Sequence, residues 1–392
     1  MQKIFSKNQK YTWFLIILLL GFVLRLLMPF FGYNVDAGAW WLVSWIQRSG
    51  GNVYAETPSY NYGPIWALTL EFLGHINIFN ASSELESFRW NVTSFLACID
   101  IGIFIILYSN YGLIKSSLFY LSPISIIISG YQIQFDNFAI LCGFISVIIL
   151  QRSKSNTKFF LFGLFMLGIS MCIKHILFFF PVWLFISERL LVRKILSLFI
   201  PYFIFLVSFL FYLPQGLQGI INNVFLYRSW LHNAPFWKLF APSFLASKEF
   251  MHFPLFIISL LIFGLLVKNK KILDKFTFYL IAVVLFSSAI ANHYLAIPTP
   301  SIALNFNFGY SLYTIFSSIH LFFDKDALHI PFMGRQIGQA GQHYYLPIFF
   351  LTLGLYIQVF GKKGLSHLKN RFIQLKKWIF VQIKEQLINA HK

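Results

Sequence analysis

The sequence predicts an all-α polytopic membrane protein, and three observations lead to that fold class. Hydrophobic residues make up 58% of the 392 residues and charged residues only 11%, whereas soluble domains carry about 25% charged residues. The apolar runs are long and continuous, unlike the short alternating strands of an outer-membrane barrel. A soluble enzyme, a disordered chain and a disulfide-stapled secreted module are therefore excluded.

The charge is strongly basic, with 31 Lys and Arg against 13 acidic residues. These basic residues gather in short connections between apolar runs, as the positive-inside rule and anionic lipid headgroups favour. No basic globular domain is present, so nucleic acid is not an expected partner. Cys98, Cys142 and Cys172 lie inside apolar runs without metal-ligand spacing, and we interpret them as small buried hydrophobes.

The apolar runs predict 11 or 12 membrane spans. The first, at 11–31, follows a lysine-bearing N-terminus that we expect in the cytoplasm, and Arg25 near its outer end could snorkel to the headgroups. Several runs are shorter than the usual span of about 20 residues, which predicts tilt or burial among other helices. After the first, the predicted spans are 92–108, 114–130, 137–150, 159–173, 175–187, 195–213, 250–267, 276–292, one or two in 296–322, and 344–360.

The connections between these runs predict the topology of one integral membrane domain over 1–392. The basic connections fall on the side of the N-terminus. The tail 362–392 is basic with apolar residues at helical spacing, which predicts an amphipathic helix on the inner leaflet. A cytoplasmic tail favours 12 spans; the alternative is that 296–322 forms one span plus a re-entrant piece. The opposite side carries a first outer loop at 32–91, with interfacial juxtamembrane helices.

Two acidic residues are candidates for chemistry. Asp100 lies within an apolar run, where a carboxylate is costly, and a structural contact between helices and a functional role are equally open. Asp36 follows the first span, at the start of a short helix whose Trp40, Trp41 and Trp45 form one side suited to the interface. Asp36 could cap that helix or act as a base toward a substrate hydroxyl.

Further polar and aromatic motifs lie on the predicted outer side. In the first loop, Gly50 to Tyr54 is followed by Tyr60-Asn61-Tyr62-Gly63-Pro64, and Tyr60, Tyr62 and Trp66 could form an aromatic wall or an interfacial belt. Later outer patches are Gly130-Tyr131-Gln132-Ile133-Gln134-Phe135-Asp136-Asn137, Lys174-His175 before Phe180-Pro181, and His293-Tyr294-Leu295.

In their order, spacing and shared side, these motifs resemble the GT-C superfamily of polyprenol-phosphate-dependent glycosyltransferases. The likeness is greatest to the bacterial polyprenol-phosphate mannosyltransferases and the GPI mannosyltransferase branch, and it covers roughly 30–190. Two positions depart from the family pattern. Asn34 stands where family members often carry a second acid, and Ile133 stands where they carry a second glycine.

The resemblance implies inverting transfer of a hexose, most often mannose, from a polyprenol-phosphate donor to a lipid or glycan hydroxyl. This would take place on the outer face of a bacterial cytoplasmic membrane. Asp36 would be the general base, without a second acid beside it. No resident cofactor is expected, and a divalent metal is possible but not indicated. The implied phosphate-binding residues are Lys174, His175, Arg228 and His293, and the implied substrate-binding residues are Tyr60, Tyr62, Gln134 and Asp136.

Some of these roles have ordinary alternatives. Lys174 could instead snorkel to lipid phosphates, and His293 could simply form a hydrogen bond at the interface. Two other functions also stay open. A flippase or transporter of lipid-linked sugars would use the same basic and aromatic lining without a base. An O-antigen polymerase or ligase would act on pyrophosphate-linked glycans, and more arginines on the outer face than Arg228 and Arg335 would be expected.

Overall fold

The computed structural model describes residues 7–76, 79, 81, 83–153, 156–227, 229, 233–323, 328 and 344–361. Within these ranges the chain forms helices and connecting turns, and no β-strand. The helices are α1 (Lys7–Leu27), α2 (Asp36–Arg48), α3 (Val53–Glu56), α4 (Pro64–His75), α5 (Glu84–Tyr111), α6 (Leu113–Tyr120), α7 (Pro123–Gly130), α8 (Asp136–Arg152), α9 (Thr157–Ile173), α10 (Phe180–Ser187), α11 (Leu191–Val207), α12 (Leu217–Gly219), α13 (Pro235–Phe240), α14 (Ser243–Ala246), α15 (Glu249–Val267), α16 (Ile272–Leu285), α17 (Thr299–Leu304), α18 (Phe308–Phe323) and α19 (Tyr345–Gly361).

Shorter helical turns connect several of these helices. The 3-10 turns are Met28–Phe31, His175–Leu177, Leu210–Tyr212 and Asn292–Ala296, and Ile220–Phe225 is a π-helix.

Four helical segments in the described ranges are long and apolar enough to cross a membrane. A fifth results if α6 and α7, which meet at a bend of 48°, are taken as one span. This confirms the helical membrane class, but it is fewer than the predicted 11 or 12 spans. The four segments are Asn8–Phe31, Glu84–Tyr111, Leu191–Tyr212 and Glu249–Val267.

The other predicted spans form shorter helices. The run at 137–150 lies in α8, which has 17 residues, and the run at 276–292 lies largely in α16, which has 14. The run at 296–322 divides into α17, of 6 residues, and α18, of 16. Helices that pack among others can be short because their ends do not all have to reach water. The predicted tail helix, 362–392, lies outside the described residues.

The local sequence explains how several of these helices begin and end. Ser83 caps α5, where its hydroxyl accepts from the Glu86 amide, as expected of an N-cap serine. Pro64 and Pro123 stand at the first positions of α4 and α7, where proline's missing amide hydrogen is not needed. Gly50, after α2, adopts a φ of 75°, which glycine reaches without strain. Short helices α2, α3 and α4 thus lie within 32–91, and their position at the membrane surface stays a prediction.

The expectation for Arg25 was wrong. Its side chain is fully buried, and its Nε lies 2.6 Å from Asp100 Oδ2. The guanidinium also donates to the Tyr120 carbonyl and the Ser125 hydroxyl. A charge inside the bundle is stabilised by an opposite charge and hydrogen bonds, so Arg25 does not reach the headgroups. The same contacts favour the structural role of Asp100.

The side chains sort by polarity in the way a lipid-facing bundle requires. Large apolar residues such as Leu19 on α1, Phe203 on α11 and Leu266 on α15 are exposed. Polar and charged residues such as Arg25 and Asp100 are buried between the helices. Exposed apolar surface of this kind marks contact with lipid rather than water.

Candidate active site

The site begins at Asp36, the first residue of α2. The N-cap residue of α2 is Val35, and Asp36 follows it as the first helical residue. Asp36 is therefore not the N-cap of α2. Asp36 Oδ2 accepts from Asn34 Nδ2 at 3.0 Å and from Gln134 Nε2 at 2.6 Å. Asn34 therefore helps to orient the carboxylate of Asp36. Asp36 has no second acid beside it in the loop, but its carboxylate is held by two amides.

The sequence predicted that the three tryptophans of α2 share one side of the helix, but they do not. Trp40 is 3% exposed and faces the bundle, whereas Trp45 is 54% exposed. Ala37, Val43 and Ile46 are buried with Trp40, at the spacing that places residues on one helix face. The inward face of α2 therefore brings Trp40 into the site, which the interfacial interpretation of the sequence missed.

Gln134 reaches Asp36 from the turn between α7 and α8. Within this turn Ile133 has a φ of 46° and is buried. A β-branched residue in the left-handed region is strained, and such strain costs of order 1–3 kcal/mol. Glycine would adopt this conformation freely. This chain therefore forms the turn with a strained, buried Ile133.

Asp136 and Lys174 form a buried ion pair beside this turn. Lys174 Nζ lies 2.7 Å from Asp136 Oδ2, and the two side chains are 5% and 1% exposed. Lys174 occupies the break between α9 and the 3-10 turn that follows. Its ammonium also lies 4.7 Å from the Phe135 ring centre and 5.2 Å from that of Tyr62, within the range of a cation–π contact. Snorkelling is therefore excluded for Lys174.

The aromatic wall is built from the segment 32–91 and from the turn between α7 and α8. Trp66 stacks on Phe135 with ring centres 4.1 Å apart. Trp40 meets Tyr62, Trp66 and Phe135 edge-on, at 5.6, 6.1 and 5.5 Å. Two of these four rings, Tyr62 and Phe135, also contact the ammonium of Lys174. Phe135 was missed in the sequence because it stands inside a polar motif.

Tyr60 has a different position from the one expected of a substrate-binding residue. Its ring is fully buried and its hydroxyl donates to the Gly63 carbonyl at 2.6 Å. It packs edge-on against Tyr54 and Tyr62. Tyr60 therefore packs within the first loop, and Tyr62 is the residue of the pair that contacts Lys174.

Both predicted histidines lie around the same ion pair. The His175 ring is nearly parallel to that of Tyr62, with centres 6.4 Å apart. Burial, together with the charge of Lys174, lowers the pKa of His293 well below its ordinary value, so His293 is neutral at pH 7. Burial raises the pKa of Tyr62, and Tyr294, Asp36 and Asp136 add to this shift. Residues from four separate sequence motifs thus share one electrostatic environment.

Several buried polar atoms at the site have no hydrogen-bond partner among the described residues. Buried polar groups in native proteins are nearly always paired, so a cluster of unpaired ones indicates where a polar ligand can bind. The set contains both donors and acceptors, as recognition of hydroxyl groups requires. The atoms are Trp40 Nε1, Trp66 Nε1, Gln134 Oε1, Asp136 Oδ1 and His175 Nε2.

Tyr227, shortly after the π-helix Ile220–Phe225, is a residue that the sequence analysis did not single out. Burial raises the pKa of the Tyr227 hydroxyl, the side chain of Asn61 opposes this rise, and the charge of Asp36 adds to it. A tyrosine in an aromatic-rich loop carries no signal of its own in the sequence. Arg228, predicted to bind phosphate, lies outside the described residues, as does Arg335.

No group of three or more His, Cys, Asp or Glu side chains in the described ranges could hold a metal ion. The residues that converge are instead one carboxylate held by amides, one buried ion pair and a set of rings.

The sequence matches none of the profiles of known protein families, and a comparison with functionally characterised proteins gives no match either. The class defined by fold and site is an α-helical membrane protein with a polar, aromatic-lined site.

Proposed function

We propose that this chain is an inverting glycosyltransferase of the GT-C type. It transfers a hexose, most often mannose, from a polyprenol-phosphate donor to an acceptor hydroxyl. One observation carries the proposal. Asp36 and Gln134, which are 98 positions apart, meet at 2.6 Å, and the next acid after Gln134 pairs with Lys174 at 2.7 Å. The motifs that resemble the family therefore converge on one carboxylate and one cation.

Asp36 is the general base of this mechanism. It takes the proton of the acceptor hydroxyl, and the acceptor oxygen attacks the anomeric carbon of the donor sugar. The bond from that carbon to the phosphate oxygen breaks, and the lipid phosphate leaves with the electron pair. Attack opposite the leaving group inverts the anomeric configuration. Gln134 and Asn34 hold the carboxylate in position for the proton transfer, since a base must lie within hydrogen-bond reach of its proton.

Lys174 stabilises the charge that develops on the departing phosphate. An ammonium has three N–H donors, and Asp136 takes one of them. The remaining donors and a neutral His293 are suited to phosphate oxygens, because preorganised donors act strongly in a site with little water. Gln134 Oε1, Asp136 Oδ1 and the indole N–H groups of Trp40 and Trp66 supply contacts for sugar hydroxyls.

The proposal includes a topology. The shorter apolar helices join the four or five long ones in a bundle of 12 crossings. Under the positive-inside rule the N-terminus lies in the cytoplasm, and the Asp36 site opens on the outer face. A bacterial cytoplasmic membrane supplies both a polyprenol-phosphate sugar and a lipid or glycan acceptor there. These assignments rest on the resemblance and on the distribution of basic residues.

The experiment is sugar transfer by purified protein, supplied with radiolabelled polyprenol-phosphate-mannose and a membrane lipid extract. Asp36→Asn keeps the size of the side chain and one acceptor oxygen but removes the base, so transfer should fall by at least about 100-fold. Glu249→Gln is the matched control, because Glu249 is also the first residue of a helix and is exposed. The control should transfer label like the wild type.

Each outcome of the transfer assay tests a different part of the proposal. Loss of transfer in Asp36→Asn alone supports the base. Equal transfer by Asp36→Asn and wild type refutes the catalytic assignment. If the wild type transfers no label from mannose, glucose, galactose or arabinose donors, yet moves the lipid-linked sugar across proteoliposomes, the chain is a flippase and the proposal fails.

A further inference from the structure

Asp100 contacts both ends of the turn that carries Gln134. Its Oδ2 is 2.8 Å from the hydroxyl of Ser129, in the last turn of α7. Its Oδ1 accepts from Asn137 Nδ2 at 2.6 Å, in the first turn of α8. One buried carboxylate therefore holds the residues that precede and follow the turn. Asn137 is adjacent to Asp136, the partner of Lys174.

The charge of Asp100 is balanced within the bundle. Arg25 Nε lies 2.6 Å from Asp100 Oδ2 and 3.2 Å from the Ser129 hydroxyl. All these side chains are at most 3% exposed. Thr93 adds a hydrogen bond to the Gly130 carbonyl at 3.2 Å. The turn is thus anchored by α1 and α5, two of the longest helices of the bundle.

The turn needs such anchoring because its conformation is unfavourable. Ile133 adopts a φ of 46°, and strained residues persist where the surroundings over-determine them. Two side chains of this region each contact a charged partner. Gln134 donates a hydrogen bond to Asp36, and Asp136 accepts one from Lys174. A small displacement of the turn would lengthen both contacts at once.

We propose that Asp100 and Asn137 are positioning residues for the site, and that Arg25 supplies their counter-charge. They fix the turn so that the Asp36–Gln134 and Asp136–Lys174 contacts form together. As far as catalysis is concerned, this inference rests on the proposed glycosyltransferase function. Asn137 is the residue of choice for a test, because removing its amide leaves the Arg25–Asp100 ion pair in place.

The test compares Asn137→Ala with Asn91→Ala. Both asparagines are 3% exposed, and both donate at 2.6 Å through Nδ2, Asn91 to the Ile76 carbonyl. Their loss of stability should therefore be similar. In the transfer assay Asn137→Ala should lower kcat by about 10- to 100-fold, since small misplacements have effects of that size. KM for the donor should change only a few-fold, and Asn91→Ala should leave kcat near the wild-type value.

A second readout does not depend on the reaction. Lys174 is shielded in the wild type, so a small amine-acylating reagent should modify it slowly, as followed by mass spectrometry. Asn137→Ala should speed its modification at least several-fold, while Asn91→Ala should not. Ser129→Ala, which removes the contact at the other end of the turn, should act in the same direction and serves if Asn137→Ala fails to fold.

The two proposals can fail separately. Unchanged kcat and unchanged labelling of Lys174 in Asn137→Ala and Ser129→Ala would overturn the positioning role, whatever the wild type transfers. Faster labelling in these variants, with no transfer by the wild type from any donor, would support the positioning role and count against the glycosyltransferase. Equal acceleration in Asn91→Ala would show general loosening of the bundle and would overturn the specific role of Asn137.

Discussion

Breaking the Asp136–Lys174 ion pair one partner at a time is a direct test of the site as described. At a separation of 2.7 Å and an effective dielectric constant of about 20, Coulomb's law gives an attraction of about 6 kcal/mol. The cost of removing both ions from water offsets part of it. Asp136→Asn alone leaves a buried, uncompensated ammonium, so the free energy of unfolding should fall by about 3–5 kcal/mol.

The double variant shows whether the two residues act on each other. Lys174→Met alone should cost a similar amount, because it leaves the Asp136 carboxylate unpaired. Asp136→Asn with Lys174→Met removes both charges, and its cost should be smaller than the sum of the two single costs by about 2–3 kcal/mol. The measurement is equilibrium unfolding of the four proteins in one detergent, followed by intrinsic fluorescence.

Additivity of the single effects within about 0.5 kcal/mol would contradict the ion pair. The same proteins also separate structure from chemistry. Lys174→Met and the double variant should both lose use of the lipid-phosphate donor, because both lack the cation. A double variant that regains stability and still transfers sugar at the wild-type rate would refute the role of Lys174.

Two further predictions concern pH and backbone packing. His293 has a pKa lowered well below 6.5 by burial and by Lys174, so the unfolded chain binds more protons below about pH 6.5 and stability falls as pH decreases. His293→Asn should flatten that fall between pH 7 and 5 in thermal unfolding, and an unchanged slope would contradict a half-buried imidazole that stays neutral in the folded chain. A Cβ on Gly63 would overlap the backbone carbonyl of Cys172. Gly63→Ala should therefore lower the free energy of unfolding by about 1–3 kcal/mol. Gly38→Ala in α2, where a Cβ meets nothing within 4 Å, should instead stabilise by up to about 1 kcal/mol; equal effects would contradict the close approach at Gly63.

The sequence predicted the helical membrane class and most of the candidate site, because both depend on local properties. Continuous apolar runs, without the alternation of polar and apolar residues that barrel strands show, can be recognised from a short stretch of the sequence. The residues Asp36, Tyr62, Gln134, Asp136, Lys174, His175 and His293 were named from short motifs, and the structure brings them together. Four or five helices of the described residues are long enough to cross a membrane, and the total of 11 or 12 crossings stays a prediction, since hydropathy does not distinguish a helix that crosses lipid from a short one buried among others.

The pairing of the charges could not be predicted in the same way. Arg25 looked like a snorkelling residue because it stands near the end of an apolar run, and that position is equally compatible with a buried partner. Its partner, Asp100, lies 75 positions away on another helix. Which face each helix turns inward decided the contact. The inward direction of Trp40 could not be predicted for the same reason, because it depends on how α2 packs against α4.

The sequence by itself determined that the chain forms apolar helices, and that a carboxylate opens α2 beside an aromatic loop. These properties follow from hydropathy, helix starts and turn residues, which act over a few positions. Only the tertiary structure decided that Asp136 neutralises Lys174, that Tyr62 rather than Tyr60 contacts Lys174, and that one buried carboxylate contacts both ends of the strained turn. Such contacts join residues far apart in the chain, and helix packing alone brings them within hydrogen-bond distance.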